Sequence, residues 1–233
     1  MRIDAHLHFT AQHPPEHLEP ILARNRFGGC IVVEEDPGPL PHQFVLGIVR
    51  RADPRSLDEY QKNPLFRAVL CSLDEMTPSG FAELARRRIP VDLAIQPHHL
   101  LLLPRIADAA PDLRMAIDDL ACPPFGSPMT DEWARGMEEA AKLPHVFCKA
   151  SSLLAHAPSP WKASDIRPFV RHALAVFSPR RLMFGSGWPS SLPAAGWKEN
   201  LAVFTQCIGA QTIETREELL GGAAARFYGL ETA

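Results

Sequence analysis

No two cysteines in this sequence stand at Cys-x-x-Cys spacing, which removes the commonest structural-zinc and dithiol redox motifs. The five present, Cys30, Cys71, Cys122, Cys148 and Cys207, are scattered, three of them within or at the end of strand-like runs, and they read as buried free thiols. A basic run is missing too. With a formal net charge of -3 and dispersed Lys and Arg, the chain carries no electrostatic footprint for nucleic acid, which is excluded as an expected partner. No apolar stretch approaches the length of a membrane helix. The first residues form an acidic, histidine-bearing strand rather than a basic-then-apolar leader, so the expectation is a cytosolic protein that meets no membrane. Nothing like GxGxxG follows the first strand and no P-loop occurs, which leaves dinucleotide and nucleotide-phosphate chemistry without a motif.

What is present suits a globular enzyme-sized fold. The 233 residues, 46% hydrophobic and 22% charged, suffice for one domain over 1–233 that buries a full core around a small-molecule site. The 23 prolines mostly punctuate boundaries, as in "HPPE", "DPGPLP", "CPPFGSP" and "APSP".

Apolar runs of strand length recur: "RIDAHLH" from Arg2, "GCIVVE" from Gly29, "FVLGIV" from Phe44, "FRAVLC" from Phe66, "VDLAI" from Val91, "RMAID" from Arg114, "VFCKAS" from Val146 and "RLMFGS" from Arg181. Segments at helical spacing, such as "PEHLEPILARN", "PRSLDEYQKN", "HLLLLPRIADAA" and "SDIRPFVRHALAVF", lie between them, although "EDPGPLPHQ" is too short for a helix. Eight strands alternating with helices predict a (β/α)8 TIM barrel with little decoration, and an open doubly wound sheet is the alternative. The tail "TIETREELLGGAAARFYGL" opens on a capping pattern at Thr212 and reads as a C-terminal closing helix interrupted at Gly221 and Gly222.

Barrel active sites lie at the C-terminal ends of the strands, so position sorts the histidines. Asp4, His6 and His8 alternate along the first strand, which predicts one shared face. His6 and His8 then read either as half of a divalent-metal site or as a hydrogen-bonded polar plug. After the fifth strand only one of His98 and His99 is expected to face the mouth. His13, His17 and His156 read as solvated rim residues, and His42, His145 and His172 as bystanders.

Together these blocks resemble the amidohydrolase superfamily, and within it the amidohydrolase-related lactonases. "IDAHLHF" is similar to the family's opening strand, "VDLAIQPHHLLLLPRIADAAPDLRMAIDDLACPP" to its fifth and sixth strands, "VFCKASSL" to its seventh, and "RLMFGSGWP" to its eighth. The resemblance implies hydrolysis at a carbonyl or similar centre, with a divalent metal such as zinc or manganese in many members and none in some. It implies binding or orienting roles for His6 and His8 and a substrate- or metal-contacting role for His99. The pattern is departed from in three of the strand ends. Gly187 stands where an eighth-strand Asp would hold the attacking water, Asp119 stands at a sixth-strand His, and Leu70 and Cys71 replace a fourth-strand Arg-His.

Two readings follow. In one, the base has moved: Asp119 joins His6 and His8 as a metal ligand or acts as the base, with Glu34 or Glu35 as weaker substitutes. The other role for Asp119 is a cap or loop hydrogen bond. Lys149 either neutralises a substrate carboxylate or pairs with Asp118 or Asp119. The favoured function is hydrolysis of a lactone or similar small carboxylate-bearing substrate, with His6, His8, His99, Asp119 and Lys149 as site residues. In the other reading the barrel is catalytically silent and binds a small acid or a partner, and a decarboxylase on the same fold is third. Phe125, Trp161 and Trp188 in rim loops serve as ligand walls or packing plugs.

Overall fold

The apolar runs form strands because neighbours and helices cover both faces, the condition under which parallel strands persist. A computed structural model describes residues 1–34, 42–53 and 55–230. From the N-terminus the elements are β1 (Arg2–Leu7), α1 (Pro15–Arg24), β2 (Phe27–Glu34), β3 (Val45–Arg51), the one-turn α2 (Leu57–Tyr60) and β4 (Phe66–Cys71). Next come α3 (Pro78–Arg86), β5 (Val91–Leu93), a 3-10 turn (Pro97–Leu102) leading into α4 (Leu103–Ala109), and β6 (Met115–Ile117). Then follow α5 (Asp131–Lys142), β7 (Val146–Ala150), α6 (Ala163–Phe177), β8 (Leu182–Phe184) and α7 (Trp197–Ile208). The tail comprises α8 (Ile213–Glu217), a π-turn (Glu218–Gly222) and α9 (Ala223–Tyr228), so Gly221 and Gly222 widen the closing helix rather than break it. The connection between β2 and β3, with Glu35, lies largely outside the described residues.

The strands are parallel and lie side by side in chain order, β1 to β8. The ends of this sheet meet through backbone: Gly187 N–H donates to the His6 carbonyl at 2.9 Å, and His8 N–H to the Trp188 carbonyl at 2.7 Å. The result is a (β/α)8 barrel. Ile3, Ala5, Ile31, Val33, Val49, Ala68, Ala116, Phe147 and Met183 pack together inside it, and Ala223–Ala225, Phe227 and Tyr228 join this inner cluster as a floor. The outer strand faces pack on helices, as where Ile166, Phe169, Val170, Ala173 and Phe177 of α6 are buried along one stripe. At about 1.5–3 kcal/mol for each large apolar side chain, such stripes fix where each strand ends and therefore where the mouth lies.

β1 departs from regular alternation. Asp4 pairs with Cys30 and Leu7 with Val32, so β1 uses three steps where β2 uses two. This bulge turns His6 to the other side of the sheet from Asp4. The shared face expected for Asp4, His6 and His8 is therefore split. Asp4 is buried on the outer side, where it accepts from Trp197 Nε1 of α7 at 2.7 Å and from Ser186 N–H at 2.9 Å.

Candidate active site

At the mouth, β1, β5, β6 and β7 contribute polar side chains to a region that apolar packing would otherwise fill. Lys149 on β7 is fully buried and pairs with Asp92 of β5 and with Asp118, which follows β6, its Nζ 2.8 Å from Asp118 Oδ1. The same ammonium lies 3.5 Å from His6 Nδ1, and Asp118 Oδ2 lies 3.6 Å from that nitrogen. Burial opposes every charge here, so the charges persist only as a set. For Lys149, Asp118 and Asp92 outweigh burial and hold its pKa well above the ordinary value. Asp118 is likewise held below its usual range, because Lys149 and His6 overcome its desolvation. Desolvation dominates at Asp92 and pushes it up to about 6. The His6 ring, pulled down by burial, is raised overall by Asp118. Neither Asp118 oxygen makes a well-directed hydrogen bond; the contacts with Lys149 and His6 are contacts of charge, and acceptor capacity is left over.

His6 and His8 share one space, their rings edge to face with centroids 5.3 Å apart. Desolvation, reinforced by the neighbouring His6, lowers His8 to about 4, so its ring is neutral at ordinary pH. A neutral imidazole is a competent ligand or acceptor. His99 is half-buried and its Nδ1 accepts from Gln96 N–H at 3.1 Å, capping the 3-10 turn after β5. That bond places the ring proton on Nε2. His98 is exposed and its ring lies tilted against that of His99.

Asp119 sits beside this charge cluster and belongs to a second group. Ser151 Oγ donates to its Oδ1 at 2.6 Å, Ser151 also accepts from its backbone N–H at 3.1 Å, and His156 Nε2 lies 3.1 Å from Oδ2. Despite desolvation, the His156 hydrogen bond and the nearby His6 hold this carboxyl well below its usual range. Among the described residues, one set of three ligating side chains has its atoms within 4.8 Å of one another: Asp119, Cys122 and His156. His6 and His8 are not in that set. His156, read from sequence as a solvated rim residue, is exposed and also pairs with Asp119.

Gly187 explains why no carboxylate stands there. Its φ is +66°, and a Cβ would lie 2.4 Å from Ser152 Oγ and 2.6 Å from Ser152 Cα. The loop after β7 occupies the space an eighth-strand Asp would need. Of the rim aromatics, Phe125 packs on Phe169 and Trp188 beneath Phe9 and His13, both as buried plugs, while Trp161 donates to the Ala194 carbonyl at 3.3 Å. The residues that sequence reasoning passed over are Asp92, Tyr228, Cys122 and Ser151. Only Asp92 carried a readable signal, as a carboxylate inside the buried run "VDLAI" that must find a partner.

Comparison with known proteins agrees with this architecture. Residues 63–230 match the family model described as amidohydrolase. A Burkholderia ambifaria L-fucono-1,5-lactonase is 26% identical over 281 aligned positions, covering 99% of this chain and 96% of its own. A Burkholderia multivorans L-fucono-1,5-lactonase is 40% identical over 106 positions, covering 42% of this chain and 35% of its own. A zinc-bound crystal structure of a Burkholderia multivorans amidohydrolase has the same fold, with a TM-score of 0.87 at 24% identity, covering 99% of this chain and 100% of that one. The chain belongs to the amidohydrolase family.

Proposed function

For this member of the amidohydrolase family, we propose hydrolysis of a small lactone: water adds to the ring carbonyl, the ring C–O bond breaks, and a hydroxy acid leaves. One observation carries the reading, the convergence of His6, Asp118 and Lys149 in a buried charged cluster directly under the mouth, with His8 beside it. Full-length likeness to a lactonase supports it. A silent barrel would not need to maintain a buried lysine between two buried carboxylates, since replacing such ion pairs by apolar residues is often neutral or stabilising.

Each residue has a role in this reading. Lys149 has no exposed surface with which to meet a substrate, so it positions Asp118 and His6. His99, with its proton on Nε2, donates to a substrate oxygen. Asp119, held ionised, accepts the proton of the attacking water. The donor set at the mouth fits a divalent metal such as zinc or manganese: His6 and His8 offer imidazoles in one space, and Asp118 behind His6 is the carboxylate such ligands usually carry. An ion bound there supplies Lewis-acid polarisation of the carbonyl. The five free cysteines suit a cytosolic setting.

The test is a turnover screen of the purified protein over sugar lactones and unsaturated dicarboxylate lactones, read by acid release. Saturable acid release that falls in His6→Ala and Asp119→Asn supports the reading. Release of carbon dioxide would assign a decarboxylase instead, and binding without turnover would assign the silent barrel.

A further inference from the structure

Residues 119 to 122 do something that L-amino acids avoid. Asp119, Leu120, Ala121 and Cys122 have φ values of +49°, +54°, +57° and +49°, four successive non-glycine residues in the left-handed region. Each costs roughly 1–2 kcal/mol there. The run closes as one left-handed turn, with Cys122 N–H donating to the Asp119 carbonyl at 2.8 Å. It is held from outside: Trp133 Nε1 of α5 donates to the Leu120 carbonyl at 2.7 Å, and Ser151 grips both the backbone N–H and the carboxylate of Asp119. Residues three apart in so tight a turn lie on one side of it. The strain therefore brings the Asp119 carboxylate and the Cys122 thiol together, and the loop after β7 delivers His156 to the same point.

We propose that Asp119, Cys122 and His156 form a divalent-metal site, suited to zinc, on the β6–β7 side of the mouth. The donor chemistry carries this. Carboxylate, thiolate and imidazole are all zinc ligands, three protein ligands are what an open zinc site uses, and the two anions balance the ion's charge. The thiol gives its proton to solvent as the metal binds. Cys122 is also the only one of the five cysteines that is not buried, so it alone is open to an incoming ion. The Lys149 cluster differs, because its carboxylates already face a buried cation. The proposal stands whatever substrate the barrel takes.

Cobalt(II) titration of the chelator-stripped full-length protein tests it. The expected result is a near-ultraviolet thiolate-to-cobalt charge-transfer band whose amplitude corresponds to about one thiolate-bound ion per chain, separate from any cobalt taken up by His6 and His8 without such a band. Cys122→Ser abolishes that band, His156→Ala weakens cobalt binding on the order of 10- to 100-fold, and His6→Ala leaves the band in place. Circular dichroism confirms that each variant is folded; should Cys122→Ser not fold, His156→Ala carries the test. Cobalt binding without a thiolate band, a band that survives Cys122→Ser or is lost in folded His6→Ala, unchanged affinity in His156→Ala, or no binding would each overturn the assignment.

Discussion

Tyr228, in the last helix, donates its phenol to Asp92 Oδ2 at 2.8 Å across 136 residues of sequence. The contact runs up through the barrel floor. Asp92 pairs in turn with Lys149, which faces Asp118 and His6, so a single chain of polar contacts joins the closing helix to the mouth.

Tyr228→Phe removes that donor and nothing else. Oδ1 of Asp92 already lacks a hydrogen bond, so the loss falls on a buried carboxylate. Stability is expected to drop by about 1.5–3 kcal/mol, read from urea midpoints. An unchanged midpoint would mean that the phenol is not a working partner.

Lys149→Met leaves two buried carboxylates facing each other. The expected cost is about 3–5 kcal/mol at neutral pH, the usual result of removing one partner from a buried ion pair. Adding Asp92→Asn should recover part of it. Full additivity of the two changes would argue against the coupling.

His8 makes the metal-free protein acid-sensitive. Its folded pKa of about 4 lies below the ordinary value of 6.5, so the unfolded chain takes up a proton first as pH falls. Stability from this group is present above about 6.5 and is lost between there and about 4, by roughly 3 kcal/mol at most. His8→Gln should flatten this limb of a stability-versus-pH curve measured with chelator present; an unaltered slope would place the titration elsewhere.

Gly187→Ala should destabilise by about 2–5 kcal/mol, the sum of left-handed strain and overpacking against Ser152. Gly187→Asp should be no better and should not raise turnover. A stable, more active Gly187→Asp protein would show that the two loops part easily.

Asp119→Asn is a clean probe, because asparagine tolerates the left-handed conformation that position 119 requires. Turnover is expected to fall roughly 100-fold or more. The His156 pKa, raised chiefly by its hydrogen bond to Asp119, should fall when followed by NMR titration. Retained turnover would remove Asp119 from the chemistry.

The eight strands were legible because apolar runs buried on both faces leave little choice, and "FRAVLC" became β4 residue for residue. Lys149 was legible as an inward residue through the resemblance of "VFCKASSL" to the family's seventh strand, and the structure buries it fully. The bulge in β1 was not, because "IDAHLHF" has no glycine or proline to announce it; alternation therefore put Asp4 on the wrong side. "DDLAC" likewise carries no glycine to mark a left-handed turn, so Cys122 and His156 went unread as neighbours of Asp119. The Tyr228–Asp92 bond depends on tertiary closure alone and has no local signature.

The closing helix also sets when the barrel can be sealed during synthesis. The ribosome releases Asp92, then Asp118, then Lys149, and only after all three the residues that seal the barrel beneath them. Until Phe227 and Tyr228 have emerged, the inner faces of β1, β7 and β8 lack their floor and Asp92 lacks its phenol. A chain interrupted before residue 223 would lack the residues that cover the inner cluster and the phenol that partners Asp92.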